Sequence, residues 1–156
     1  MITCKFENNA PGLLRHVTVD GLVIHGDKIL LIKRAAHLIE GGKFSLPGGY
    51  LDRDETAEKG MLREIQEETG YTGTIKMLFR INTNPLRKGE DRQNVDFVFV
   101  VEAGEQTTKP DNEVNEIRWF PLGALPHPDE FAFDHFESIE LYRQYLKNPT
   151  NLPIVS

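Results

Sequence analysis

Residues 47–71, PGGYLDRDETAEKGMLREIQEETGY, decide how the rest of the chain is read. A short glycine-rich loop runs into a proline-free stretch, Thr56 to about Thr69, that is rich in helix formers and closed by Gly70, a residue suited to a left-handed helix end. The spacing predicts one helix. Residues three and four apart share a helical face, so Glu64, Glu67 and Glu68 fall within a single arc of at most ~140°. Ala57 and Gly60 lie upstream on the same stripe and leave room for a loop or strand to approach. Met61, Leu62 and Ile65 form the apolar stripe that anchors the helix to a core. Arg63 stands one turn before Glu67, within reach of a charge-assisted hydrogen bond.

Three carboxylates on one patch repel one another, and a divalent cation removes the conflict. Oxygen-only ligands favour a hard ion, Mg²⁺ or Mn²⁺, which keeps sites free for water and phosphate oxygens. Gly48 and Gly49 allow backbone N–H groups or a carbonyl to come close to that ion. A run of glutamates is also what an ordinary solvated helix face looks like. The spacing decides between the two. Gly49, five residues, Glu55, seven residues, then Arg63-Glu64-Ile65-Gln66-Glu67-Glu68-Thr69-Gly70 resembles the signature of the Nudix hydrolases at all seven fixed positions. A chance match at one start point has a probability on the order of 10⁻⁸ at ordinary amino-acid frequencies. Tyr71 departs from the aliphatic residue expected at the end of the pattern, while still supplying apolar bulk.

The chain has 156 residues, the size of one domain able to bury a substantial core, and the expectation is a single domain over 1–156. Eighteen basic against 24 acidic residues give a formal charge of −6, which argues against nucleic-acid or membrane binding through a cationic surface. An acidic protein that acts on phosphates needs metal ions or a local basic pocket. The lone Cys4 excludes an internal disulfide and fits a cytoplasmic location. Neither the N-terminus nor the longest apolar runs, Ile29 to Ile32 and Phe97 to Val101, have signal-peptide or membrane-spanning length.

Residues 1–14 read as an N-terminal arm or edge strand, able to pack across a partner subunit in a homodimer. HVTVDGLVIH, residues 16–25, and KILLIK, residues 28–33, flank the turn at Gly26-Asp27 and predict a hairpin. Strands are expected over 73–83 and 94–103, separated by a charged loop, 84–93, long enough to reach a substrate. A second loop, 104–115, carries Glu113 and leads to a short strand, 116–120, with Trp119 in the core. An amphipathic helix is expected within 133–148. The five histidines show no metal-ligand spacing.

This order of elements suggests an α+β fold with helices on both faces of a mixed sheet. The resemblance sharpens that to the family's α/β/α sandwich and implies an Mg²⁺-dependent diphosphatase, with Mn²⁺ as a substitute. By resemblance Glu64, Glu67 and Glu68 hold the metal, with a carbonyl near Gly48 or Gly49, and Arg63 and Glu55 orient the helix. Glu113 is the candidate for a further metal ligand or for the base that activates water, with Glu116 as competitor. Which of Glu64, Glu67 and Glu113 is the base stays open. The candidate phosphate-binding cations are Arg34, which the family often carries at this position, and Arg80, Arg87 and Arg92. Pro85, fifteen residues past Gly70, is similar to a marker of the ADP-ribose-hydrolysing branch. The implied partner is a small nucleotide, ADP-ribose or a nucleoside-diphosphate sugar, with dinucleoside polyphosphates and oxidised nucleoside triphosphates as alternatives. A catalytically silent nucleotide-sugar sensor is the reading from another class.

Overall fold

A computed structural model describes residues 1–89 and 92–156 of the chain. In order, the elements are β1 (Ile2–Lys5), β2 (Pro11–Leu14), β3 (His16–His25), β4 (Lys28–Arg34), β5 (Phe44–Ser45), β6 (Gly48–Tyr50), α1 (Ala57–Thr69), β7 (Tyr71–Asn82), β8 (Asn94–Gln106), β9 (Val114–Pro121), α2 (His135–Lys147) and β10 (Ile154–Val155). A 3₁₀ turn at Pro128–Glu130 precedes α2. No helix among the described residues is long and apolar enough to cross a membrane.

The fold is α+β, built on a mixed sheet. β3 and β8 run parallel at its centre, in register from His16 opposite Asn94 to Ile24 opposite Glu102. Their inner segments are near-continuous apolar runs, as a strand covered on both faces requires. Side chains alternate between faces along a strand, and this sorts the core in two. Leu22, Ile29, Leu31, Val98 and Val100 face α2 through Ile139 and Tyr142. Val19, Val23, Leu30, Phe99 and Val101 face α1 through Met61 and Ile65. One helix therefore lies on each side of the sheet.

The hairpin expected of β3 and β4 exists only at its tip, where Ile24 pairs with Ile29 and His25 with Lys28. Beyond it β4 runs along β9, and the vacated edge of β3 is taken by β6. The strands part, and the glycine loop enters the gap. The expected helix is α1, with Thr56 as its N-cap and Gly70 left-handed at φ +73°. β7 starts at Tyr71 and β8 continues to Gln106, further than sequence suggested, because these two residues pair with each other. Residues 1–14 form a separate two-stranded hairpin. The sequence reading assigned no strand to the tail, where β10 adds in parallel to β7. Of the charged loop expected over 84–93, positions 90 and 91 lie outside the described residues.

Candidate active site

The parted strands, the glycine loop and α1 enclose a cavity of about 530 Å³. One wall is α1. Gly48 N–H donates to Glu68 Oε2 at 2.7 Å, which fixes the loop to the helix. A β-carbon at Gly49 would stand 2.6 Å from Glu64 Oε1, and one at Gly48 would stand 2.2 Å from Val19 O. At Gly48 only glycine lets β6 pass along the β3 backbone, whereas at Gly49 a side chain would displace the Glu64 carboxylate. Arg63 ties this wall together by donating to Glu64 Oε1 at 2.7 Å, Glu67 Oε2 at 3.0 Å, Glu55 Oε1 at 2.7 Å and Tyr50 O at 3.0 Å. Glu55 also accepts from Asp52 N–H, and the Arg63 hydrogen bond above all holds its carboxyl below the usual range.

Glu64, Glu67, Glu68, Asp111 and Glu113 all line the cavity. The loop bearing the last two is pinned to the end of α1, because Gln66 Nε2 donates to Thr107 and Thr108 and Asp111 N–H donates to Glu67 O. Glu113 N–H in turn donates to Asp111 Oδ1 at 2.9 Å. Burial pushes the Glu68 carboxyl well above its ordinary value, and Glu64 and Asp111 add repulsion that Gly48 N–H only partly offsets. Burial likewise raises Glu64 against the pull of Arg63. A crowded, all-oxygen donor set, buried at Glu68, half-buried at Glu64 and open at Glu67, Asp111 and Glu113, with too little positive charge suits a hard divalent cation. As the side chains stand, no three carboxylates among the described residues are set at ligand spacing. Glu64 and Glu67 are turned to Arg63 and Glu68 to Gly48, so holding an ion requires these side chains to re-aim.

The floor is different in kind. Asp20 on β3 and Arg87 line it together with His135 and Thr18. Arg87 contacts Asp134 at 2.6 Å, Asp96 at 3.7 Å and Asp20 at 3.9 Å. His135 Nδ1 accepts from Leu46 N–H at 2.9 Å, so its proton is on Nε2, which faces Asp20 at 3.3 Å. Burial would raise Asp20, but His135 and Arg87 outweigh it and hold the carboxyl at about 2. Asp96 goes the other way, well above its ordinary value through burial and the Asp20 charge.

The expected cations separate. Arg34 lines the cavity, donates to Ile39 O at 2.9 Å and lies 5.2 Å from the Phe133 ring centroid. Arg92 lines it beside Tyr50, and Arg87 contributes to the floor while already compensated by aspartates. Arg80 does not reach it. Its side chain is 2 % exposed, donates to Ser138 and Ser156 at 2.8 and 2.9 Å, and lies between α2 and the C-terminal tail. An arginine on the inward face of an apolar strand is a burial signal, and the network around it explains the correction. Glu116, the competitor of Glu113, is paired with Arg118 and lies outside the cavity lining. Sequence reasoning missed Asp20, Asp111, Phe133 and His135. The signals for two of them were an aspartate inside the β-branched run HVTVDGLVIH and a second acid two residues before Glu113.

The NUDIX domain model matches residues 14–142. The ADP-ribose pyrophosphatase of Methanocaldococcus jannaschii is 35% identical over 129 residues, 83% of this chain and 73% of that protein. A putative 8-oxo-dGTP diphosphatase of Bacillus subtilis is 33% identical over 99 residues, 64% of this chain and 61% of that one. The fold matches an ADP-ribose pyrophosphatase from Streptococcus suis with a TM-score of 0.72 at 19% identity, covering 92% of this chain and 100% of the other. The chain belongs to the NUDIX family and is a hydrolase of that family.

Proposed function

We propose that the protein cleaves the pyrophosphate bond of a nucleoside diphosphate joined to a second group, ADP-ribose or a nucleoside-diphosphate sugar, and releases a nucleoside monophosphate and a sugar phosphate. The observation that carries this is the cavity itself, which pairs an under-compensated carboxylate wall with Arg34 and an aromatic surface. Glu64, Glu67 and Glu68 would hold Mg²⁺, with Mn²⁺ as substitute, and a carbonyl of Gly48 or Gly49 would add to them. The cation supplies charge neutralisation at the diphosphate and lowers the pKa of bound water. Arg63, itself held by Glu55, anchors Glu64 and Glu67 at rest, and the two would turn from it to meet the cation. Glu113 takes the proton of the attacking water in this reading, because Glu64, Glu67 and Glu68 would be taken up by the cation and Glu113 lines the same cavity. Water adds in line to one phosphorus and the bond from that phosphorus to the bridging oxygen breaks. The whole chain acts as one catalytic unit.

Likeness to the M. jannaschii protein favours ADP-ribose, and likeness to the B. subtilis protein favours an oxidised nucleoside triphosphate as second substrate class. The test is Mg²⁺-dependent product release from ADP-ribose, other sugar nucleotides, dinucleoside polyphosphates and 8-oxo-dGTP, with Glu68→Gln alongside. ADP-ribose or a sugar nucleotide is expected to be cleaved fastest, and the variant to be dead. A wild type that binds nucleotide with Mg²⁺ and cleaves none of the panel is a sensor, and the hydrolytic reading falls.

A further inference from the structure

Phe133 has φ +52°, in the left-handed region that bulky side chains avoid. It is the first central residue of a turn closed by His135 N–H donating to Ala132 O at 3.3 Å, a position that calls for glycine or asparagine when φ is positive. The turn is held from both sides. Ala132 N–H donates to Phe44 O at 2.8 Å, Asp134 accepts from Arg87 at 2.6 Å, and His135 accepts from Leu46 at 2.9 Å. None of these bonds uses the Phe133 side chain, so glycine would serve the turn at least as well; the ring itself lies 5.4 Å from the His135 ring and under the Arg34 guanidinium. Two residues earlier Phe131 is 1% exposed in the core, whereas Phe133 is half-buried and turned to the cavity wall. Strain kept by surrounding bonds at a cavity points to a function for the side chain that bears it.

The ring's surroundings define that function. The Arg34 guanidinium lies over Phe133, and its bond to Ile39 O brings Leu38 and Ile39 into the same cavity lining. The carboxylate wall takes phosphates through a cation, and this wall offers a planar, apolar surface with a guanidinium plane. Resting on the nucleotide reading above, we propose that Phe133, with Arg34, is the stacking platform for the nucleobase of the substrate. Every base has a flat face that stacks on aromatic rings and on arginine planes.

The test measures Kd for AMP and for ribose 5-phosphate, which has a phosphate and no base, on the full chain as wild type, Phe133→Gly and Phe133→Leu, with Tm for each. Both variants are expected to bind AMP about tenfold more weakly, to bind ribose 5-phosphate within about twofold of wild type, and Phe133→Gly to lose no thermal stability because the strain is relieved. Phe133→Leu keeps an apolar side chain at the strained position and separates lost stacking from altered backbone. Equal weakening toward both probes would make Phe133 a positioning residue for Arg34 and overturn the proposal, as would unchanged AMP binding. A wild type that binds none of AMP, GMP and UMP fails the nucleotide reading itself, and the platform with it.

Discussion

The carboxylate wall on α1 and the charged floor beneath it lie in one cavity and treat charge in opposite ways. On the floor, Arg87 is met by Asp134, Asp96 and Asp20, and His135 Nε2–H donates a hydrogen bond to Asp20, so the network is closed within the protein. On the wall, Glu64, Glu67, Glu68, Asp111 and Glu113 share one cavity, and Arg63 hydrogen-bonds two of them. Compensation inside the fold marks structure, and charge left over marks a place for a ligand. Deleting one charge should therefore have opposite effects on stability in the two regions.

The largest effect belongs to the floor. Arg87→Met takes a cation from the buried Asp20 and Asp96 and the half-buried Asp134, and breaking a buried ion pair on one side costs about 3–5 kcal/mol. Chemical denaturation should show a loss of that order, and a loss below about 1 kcal/mol would mean that the floor is solvated and the comparison unsound. Glu68→Gln on the wall removes a buried, crowded carboxylate while keeping an acceptor for Gly48 N–H. Metal-free Glu68→Gln should melt a few degrees above wild type at neutral pH, while Mg²⁺-dependent turnover falls about 10²-fold or more. A lower Tm in that variant would place Glu68 among the structural charges.

The wall was legible in the sequence because it is local. Glu64, Glu67 and Glu68 are brought together by helical periodicity alone, and Gly49, Glu55 and Arg63 lie within fifteen residues of one another. The floor was not, because its members come from β3, β8, the loop after β7 and the start of α2, and only tertiary pairing joins Asp20 to His135. The same reason explains Arg80 and Arg87, which look alike in sequence. One is closed off between α2 and the tail, the other reaches the cavity, and no local pattern separates them. The short β3–β4 pairing was hidden for a related reason, since β6, which starts at Gly48, competes for an edge from well beyond the turn at Gly26-Asp27. What helix periodicity and turn chemistry write, sequence reads; what long-range pairing decides, it does not.

A smaller effect tests how tightly loop and wall are fitted. Gly49→Ala places a methyl within 2.6–2.8 Å of the Glu64 carboxylate, a group whose end can swing aside. The fold should survive with a modest drop in Tm, and kcat should fall about tenfold as Glu64 leaves its place, since misplacement on this scale affects reacting geometry more than folding. Unchanged kcat would show that Glu64 works from more than one position, and that Gly49 serves only the passage of β6.

The finest test separates the two regions by pH in the metal-free protein. Asp20 is held at about 2, below its unfolded value, so its contribution is present above the ordinary carboxyl pKa and is lost as pH falls toward 2. Glu68 and Glu64 are raised, so their contribution is complete below the ordinary carboxyl pKa and is lost as pH rises through their folded values. Asp96 has the same sign as these and belongs to the floor. Tm against pH should then show an acid limb owed to the floor and an alkaline limb owed mostly to the wall, each a few degrees deep. Glu68→Gln should shrink the alkaline limb and leave the acid limb in place, with Asp96 preserving a remnant on the alkaline side. Saturating Mg²⁺ should flatten the alkaline limb of the wild type in the same way, because a bound cation favours the ionised carboxylates that burial opposes. If Mg²⁺ instead leaves that limb unchanged while Glu68→Gln removes it, the wall's surplus charge is real but is not a cation site, and the division between closed floor and open wall has to be drawn by another ligand.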